Sequence, residues 1–223
     1  MVKLVFLCRR RPELTHAQYV AHLLDRHVPL ALRHHPTLRR YVVNIVESTR
    51  GPVPAFDSIG ELWFDTLDDY RIRLYDSPEG ERTIVADVAS FLAAADAYAT
   101  VEHVQRAPAS QPIGRTPGDK LFACLKRPAA QTKDAFVTHW LTHHAPLALR
   151  HHATTRYVTN VVEQRLSRTG ADYDGFAELV FPPGEIARGM YLSPEGQREI
   201  EADMPRFIGT VHAYVVSEHV ACW

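Results

Sequence analysis

Two stretches of the chain carry almost the same nine residues, HVPLALRHH from His27 to His35 and HAPLALRHH from His144 to His152. An imidazole titrates near neutral pH, so His27 and His144 could accept or donate a proton in a reaction. Pro29 and Pro146 disfavour helical geometry in the residue before them and remove a backbone donor. They predict a helix that ends or kinks beside each histidine and turns its ring into a cleft. The competing role is a histidine that caps the last helical carbonyls. Tyr41 and Tyr157 follow a short way on and could hydrogen-bond a carbonyl or phenol, or pack with a satisfied hydroxyl. Asn44, Asn160, Glu61 and Glu178 interrupt apolar runs. Each buried amide needs partners, from a ligand or from backbone. A buried carboxylate must be paired or protonated, and Arg40, Arg156, Glu102–His103 and Glu218–His219 are candidate partners. The expected site therefore has His27, His144, Tyr41 and Tyr157 as catalytic groups. Asn44, Asn160, Glu61 and Glu178 are expected to bind substrate, with a structural ion pair as the carboxylates' competing role.

Other chemistries find less support. His139 and His143 are four apart and could chelate a metal, but Arg26 replaces His143 in the first copy and no acidic ligand recurs with them. No metal site is expected. His22 and His139 precede the lead histidines by five residues, a spacing that does not share a face of an α-helix. His34–His35 and His151–His152 read as surface or interface residues. There is no GxGxxG, no P-loop and no Gly-x-Ser-x-Gly elbow, so neither nucleotide use nor acyl-enzyme chemistry is indicated. Cys8, Cys124 and Cys222 form no CxxC pair. A net charge of −1 offers no broad attraction for nucleic acid or an anionic membrane. No run approaches the roughly 20 apolar residues of a membrane span. In MVKLVFLCRRRPEL the arginines follow the apolar run, the reverse of a secretory signal, and a cytoplasmic location is expected.

The elements that position these residues are themselves duplicated. Lys3–His35 aligns without a gap to Lys120–His152, RYVVNIVE (Arg40–Glu47) to RYVTNVVE (Arg156–Glu163), and YDSPEGER (Tyr75–Arg82) to YLSPEGQR (Tyr191–Arg198). Residues 1–104 and 120–223 read as two domains, and the proline- and glycine-rich 105–119 as their linker. Each copy begins with a short apolar strand. A helix follows, capped at Thr15 with Gln18 completing a capping box, or at Thr132 alone. Two β-branched, aromatic strands come next, then a helix opened by Ser-Pro-Glu-Gly, then a last strand. The order is β-α-β-β-α-β twice, an α+β fold of two tandem ferredoxin-like units. Strands such as VVNIV are apolar on both faces, so two sheets must cover each other. The chain reads as a fused homodimer, an intramolecular pseudo-dimeric α/β barrel, and two such chains are candidates to associate.

The combination of His-x-Pro-Leu-Ala with Arg-Tyr-Val-x-Asn, present in both copies, resembles the EthD family of the dimeric α/β-barrel superfamily. The resemblance covers both halves nearly end to end. It implies a pocket in each half, between helices and sheet. It further implies small cofactor-independent enzymes such as lactone isomerases and aromatic polyketide cyclases, with heme or quinol-type oxygenases also among the relatives. One related lactone isomerase uses the histidine of the His-x-Pro segment, the following tyrosine and a cysteine in GECWF. His27 and His144 match the histidine, and Tyr41 and Tyr157 the tyrosine. Leu62 and Leu179 replace the cysteine, which argues against that particular isomerisation. The expectation is a cofactor-independent isomerase, cyclase or lyase acting on a small carbonyl or aromatic compound. An oxygenase or heme-handling protein, or a non-catalytic binding protein, is the alternative.

Overall fold

A computed structural model describes residues 1–223. The first half runs β1 (Val2–Arg10), α1 (His16–His22), α2 (Val28–His34), β2 (Arg40–Arg50), β3 (Ser58–Phe64), α3 (Leu67–Arg71), α4 (Pro78–Phe91) and β4 (Leu92–Arg106). After the two-residue β5 (Gly114–Arg115) come β6 (Asp119–Lys126), α5 (Lys133–His139), α6 (Ala145–His151), β7 (Arg156–Arg165), β8 (Gly175–Phe181), α7 (Pro194–Asp203) and β9 (Thr210–Cys222). Thr15 and Gln18 form the expected capping box, Thr132 caps α5 alone, and Ser77 and Ser193 cap α4 and α7. The short α3, capped by Thr66, had not been foreseen.

Of the two outcomes expected at the histidines, an end or a kink, the end does not occur. Leu23–His27 and Trp140–His144 are π-helical turns that carry α1 into α2 and α5 into α6. Val28, just before Pro29, stays helical at φ −56°, ψ −51°, and its N–H bonds the Leu23 carbonyl five residues back. Each proline thereby falls at the switch from the π turn to the α-helix that follows, where the change of hydrogen-bond register accommodates its missing N–H. The wider π turn takes up the extra residue.

All strand pairings are antiparallel, in the order β2-β3-β1-β4-β7-β8-β6-β9, and β9 pairs back onto β2. Eight strands thus close a barrel, with β5 attached to β9. The order of the first four strands, β2-β3-β1-β4, repeats in β7-β8-β6-β9. Residues 105–119 hold the end of β4 and β5, and from them Gln111 and Thr116 donate to Glu218 at 3.0 and 2.6 Å.

Alternation along the strands decides what each side chain can reach. Val5, Leu7, Ile59, Phe122, Cys124 and Phe176 pack with residues of both halves in one cluster inside the barrel. Leu121, Ala123, Leu125 and Leu179 face outward and pack under Phe136 and Trp140 of the second half's helices. Tyr41, Val43 and Ile45 do the same under Tyr19 and Leu23 of the first.

Trp140 lies tightly over Gly175, where an added Cβ would collide with its six-membered ring. Gly175→Ala is therefore expected to lose about 1–3 kcal/mol through overpacking, measurable as a lower denaturant midpoint with an unchanged slope.

Candidate active site

Each half encloses a cavity between its helices and the outer face of its strands. The first holds about 230 Å³ and is lined by His27, His35, Tyr41, Tyr19, Phe91 and Leu62, among others. The second holds about 340 Å³, with His144, His152, Tyr157, Phe207 and Leu179 at the equivalent places and Trp140 at the place of Leu23.

The π turn sets the geometry of the lead histidines. A helix wound at i→i+5 stacks residues five apart, so His22 and His27 share a face, contrary to the α-helical reading of that spacing. Both reach Asp87 of α4: His22 Nε2 lies 2.8 Å from Oδ1, and His27 Nδ1 lies 2.9 Å from Oδ2. Arg26 Nε is 3.1 Å from Oδ1. The second half repeats this at Asp203 of α7, with His139 Nε2 at 2.9 Å from Oδ1 and His144 Nδ1 at 2.9 Å from Oδ2. An ionised carboxylate only accepts, so His27 and His144 donate through Nδ1 and present Nε2 as a lone pair. That nitrogen has no protein partner in either cavity. Burial lowers the pKa of both rings below the ordinary value and outweighs the opposing pull of the aspartate, so both are neutral bases at pH 7. Burial pushes the Asp203 carboxyl up, but hydrogen bonds from His144 and His139 hold it below the usual range.

Asp87 and Asp203 were not anticipated. Their signal was present in the repeat: Ala86-Asp87 and Phe91 align with Ala202-Asp203 and Phe207, an acid at the same place on two helices that must bury a face. His35 and His152 are also placed differently from expectation. Both are buried cavity residues rather than surface ones. Their Nδ1 atoms lie 3.1 Å from the Leu74 carbonyl and 3.2 Å from the Met190 carbonyl. Burial lowers each to about 4. Above pH 6.5 folded and unfolded chains alike are neutral at these rings. Between about 6.5 and 4 only the unfolded chain takes up the protons, so stability is lost as pH falls. Urea denaturation across that range should show this slope, and His35→Gln with His152→Gln should flatten it.

The profile of the EthD domain matches the sequence twice, over residues 11–95 and 129–210. The chain belongs to the EthD family. Among solved structures, an anthrone oxidase-like protein superposes on this EthD chain with a TM-score of 0.62 at 10% identity, covering 99% of this chain and 92% of that one. A candidate monooxygenase from Fusobacterium nucleatum gives 0.60 at 6% identity, covering 99% and 92%. A candidate monooxygenase from Lactobacillus acidophilus gives 0.57 at 8%, covering 99% and 95%. At these identities the likeness concerns the fold, an α+β arrangement around an antiparallel barrel. No curated protein matches by sequence. No helix of the EthD chain is long and apolar enough to cross a membrane.

Tyr41 and Tyr157 stand on the cavity walls of the EthD domains. Burial raises both phenols far above their ordinary value, so both keep their protons. The Tyr41 hydroxyl has no hydrogen-bond partner in the protein, whereas Tyr157 accepts from Trp140 Nε1 at 3.2 Å and can still donate. Asn44, Asn160, Glu61 and Glu178 line neither cavity. Strand alternation points them into the barrel, where Asn44 Nδ2 donates to Glu61 Oε1 at 2.6 Å and Asn160 Nδ2 to Glu178 Oε1 at 2.8 Å. Two buried lysines complete this network. Lys3 Nζ contacts Glu61 and Glu178 at 2.5 Å each and Glu102 at 3.0 Å. Lys120 Nζ contacts Glu61 at 2.9 Å and Glu178 and Glu218 at 2.7 Å each. Arg156 donates to both oxygens of Glu218 through its two terminal guanidinium nitrogens, Nη1 and Nη2. Burial alone would raise Glu178, but these cations hold it well below the carboxylate range.

The two cavities are not chemically equal. In the first, Tyr19 and Ser58 share a 2.6 Å hydrogen bond beside Cys8, whose thiol burial pushes up to about 12 and so out of reach of thiolate chemistry. Phe136, Gly175 and Leu125 hold those places in the second half, whose cavity is instead also lined by Arg50 and Glu201.

Proposed function

We propose that this EthD protein is a cofactor-independent acid–base enzyme of isomerase, cyclase or lyase type, acting on a small carbonyl or aromatic compound in each half. The observation that carries this reading is the repeated Asp–His dyad, with a neutral Nε2 facing an apolar cavity that also holds a protonated tyrosine. His27 or His144 removes a proton alpha to a carbonyl, and Tyr41 or Tyr157 donates to the enolate oxygen as charge develops there. Asp87 or Asp203 fixes the tautomer and steadies the imidazolium. Asn44, Asn160, Glu61 and Glu178 act indirectly in this reading, by holding the strands that carry the cavity walls. The chain works as a covalent pseudo-dimer, with domains 1–104 and 120–223 joined through 105–119, and takes a small organic molecule as its partner in the cytoplasm.

A second reading draws on the aromatic cavity walls and on the fold shared with an anthrone oxidase-like protein and candidate monooxygenases. The same base would deprotonate an acidic aromatic substrate, and the carbanion would then reduce dioxygen. Heme handling has weaker support, since the cavity of about 230 Å³ lies below, and that of about 340 Å³ at the low end of, the usual range of small-molecule sites.

The test is the pH dependence of kcat/KM on small lactones, 1,3-dicarbonyl compounds and fused-ring phenols, with oxygen uptake recorded in parallel. The base works when neutral, and its pKa is lowered, so the plateau should extend below pH 6.5 before the rate falls. An acid limb centred at or above 6.5 would remove these histidines from the role. Uptake of dioxygen in step with turnover would favour the second reading. Retention of intact ligand without turnover would leave a binding protein.

A further inference from the structure

We propose that the second half binds one divalent transition-metal ion through His139, His143 and Asp203, outside the cavity, and that the first half does not. The Nε2 atoms of the two histidines and a carboxylate oxygen of Asp203 all lie within 4.8 Å of one another. Two of the edges are measured directly: His139 Nε2 to Oδ1 is 2.9 Å and His143 Nε2 to Oδ1 is 3.4 Å. With metal bonds of about 2.0–2.2 Å, donors at octahedral to tetrahedral angles stand roughly 2.8–3.6 Å apart. Both edges fall in that range, and the exposed His143 is free to close the third. None of the three residues lines the cavity, so an ion here leaves the cavity's space open and reaches the proposed base only through Asp203, the carboxylate to which His144 donates.

The site is partly built in advance. The His139 ring stacks on Phe207 with centroids 5.1 Å apart and planes at 25°. The second oxygen of Asp203 receives the Nδ1 proton of His144, a hydrogen bond of the kind that orients a ligating carboxylate. His143 is 56% exposed, which leaves room for water to complete the coordination. Two imidazoles and one carboxylate suit Zn²⁺, Co²⁺, Ni²⁺ or Cu²⁺ rather than Mg²⁺ or Ca²⁺.

The first half explains why the site is single. There the corresponding trio is His22, Arg26 and Asp87, and the Arg26 guanidinium occupies the flank of the carboxylate where an ion would sit. A fixed cation compensates one buried aspartate. At the other, the matching residue is a histidine that can be neutral and ligate.

Cobalt titration followed by visible absorption, with zinc competition at micromolar concentrations, tests this. The wild-type chain should take one equivalent. His143→Arg copies the residue the first half already accommodates, and should weaken binding at least tenfold. Arg26→His should add a second equivalent. No site in the wild type, unchanged affinity in His143→Arg, or no gain in Arg26→His would each overturn the proposal. Because the last variant reads a gain, the result does not depend on His143→Arg folding well.

Discussion

Alanine at both His27 and His144 should reduce turnover by roughly 10²–10⁴-fold, the usual contribution of a positioned acid or base, while the protein stays folded. The structure explains why folding should survive. Removing His27 leaves Asp87 still bonded by His22 and Arg26, and removing His144 leaves Asp203 with His139 and His143. Neither carboxylate becomes an isolated buried charge, which would be the costly outcome. The lost ring volume enlarges an existing cavity rather than opening a new one. The single variants should not be equal. The first cavity adds the Tyr19–Ser58 pair and Cys8 to its walls, and the second replaces them with apolar groups but carries Arg50 and Glu201 elsewhere on its lining. A substrate whose second polar group is neutral would be turned over in the first, and His27→Ala alone would then carry most of the loss; one with a charged group would shift that loss to His144→Ala. Asp87→Asn should mimic it with a smaller effect, because the amide no longer demands the Nδ1–H tautomer. Steady-state kinetics with melting curves on the same samples measure this. Full activity in the folded double variant would end the acid–base reading.

How much of this was visible in the sequence can be argued from particular residues. The duplication was fully legible, because thirty-three residues from Lys3 align with thirty-three from Lys120 without a gap. It carried the α+β class and the repeated strand order. The division of site residues was legible in principle and was missed. Tyr41 and Asn44 are three apart on one strand, as are Tyr157 and Asn160, so alternation must send them to opposite faces. Tyrosine at the cavity obliges asparagine into the barrel, and Glu61 and Glu178 follow by pairing. The aligned Lys3 and Lys120 and the aligned Asp87 and Asp203 were written in the same repeat. The π turns were beyond reach. Proline at residue 29 or 146 predicts some local adjustment, but whether the chain breaks or widens by one residue depends on what anchors the neighbouring face. Here the anchor is an aspartate from a helix about sixty residues on.

The largest stability effect should come from the barrel's interior. Lys120→Met is expected to cost about 3–5 kcal/mol, the range seen when one partner of a buried ion pair is removed. Four carboxylates, Glu61, Glu102, Glu178 and Glu218, face three cations, Lys3, Lys120 and Arg156. Without Lys120, Glu61 and Glu178 lean on Lys3 alone, and Glu218 on Arg156. The loss should also depend on pH with a definite sign. Against burial, which alone would raise them, Lys120 with Lys3 and Arg156 holds Glu178, and Lys120 with Arg156 holds Glu218, below the carboxylate range, so in the wild type both stay ionised well into acid. In the variant their folded-state pKa rises, they protonate more readily, and the deficit relative to wild type shrinks as pH falls. Adding Glu218→Gln should recover part of the cost at neutral pH, a coupling that a double-mutant cycle isolates. The same geometry gives the network a role beyond its net energy, which for buried ion pairs is often small against an apolar alternative. Lys3 comes from β1 and reaches Glu178 of β8, and Lys120 comes from β6 and reaches Glu61 of β3, so each ammonium ties one half's strands to the other's. If Lys120→Met unfolds at the wild-type urea midpoint, the halves are held by their apolar seam and strand pairing, and the buried charges are not what sets their register.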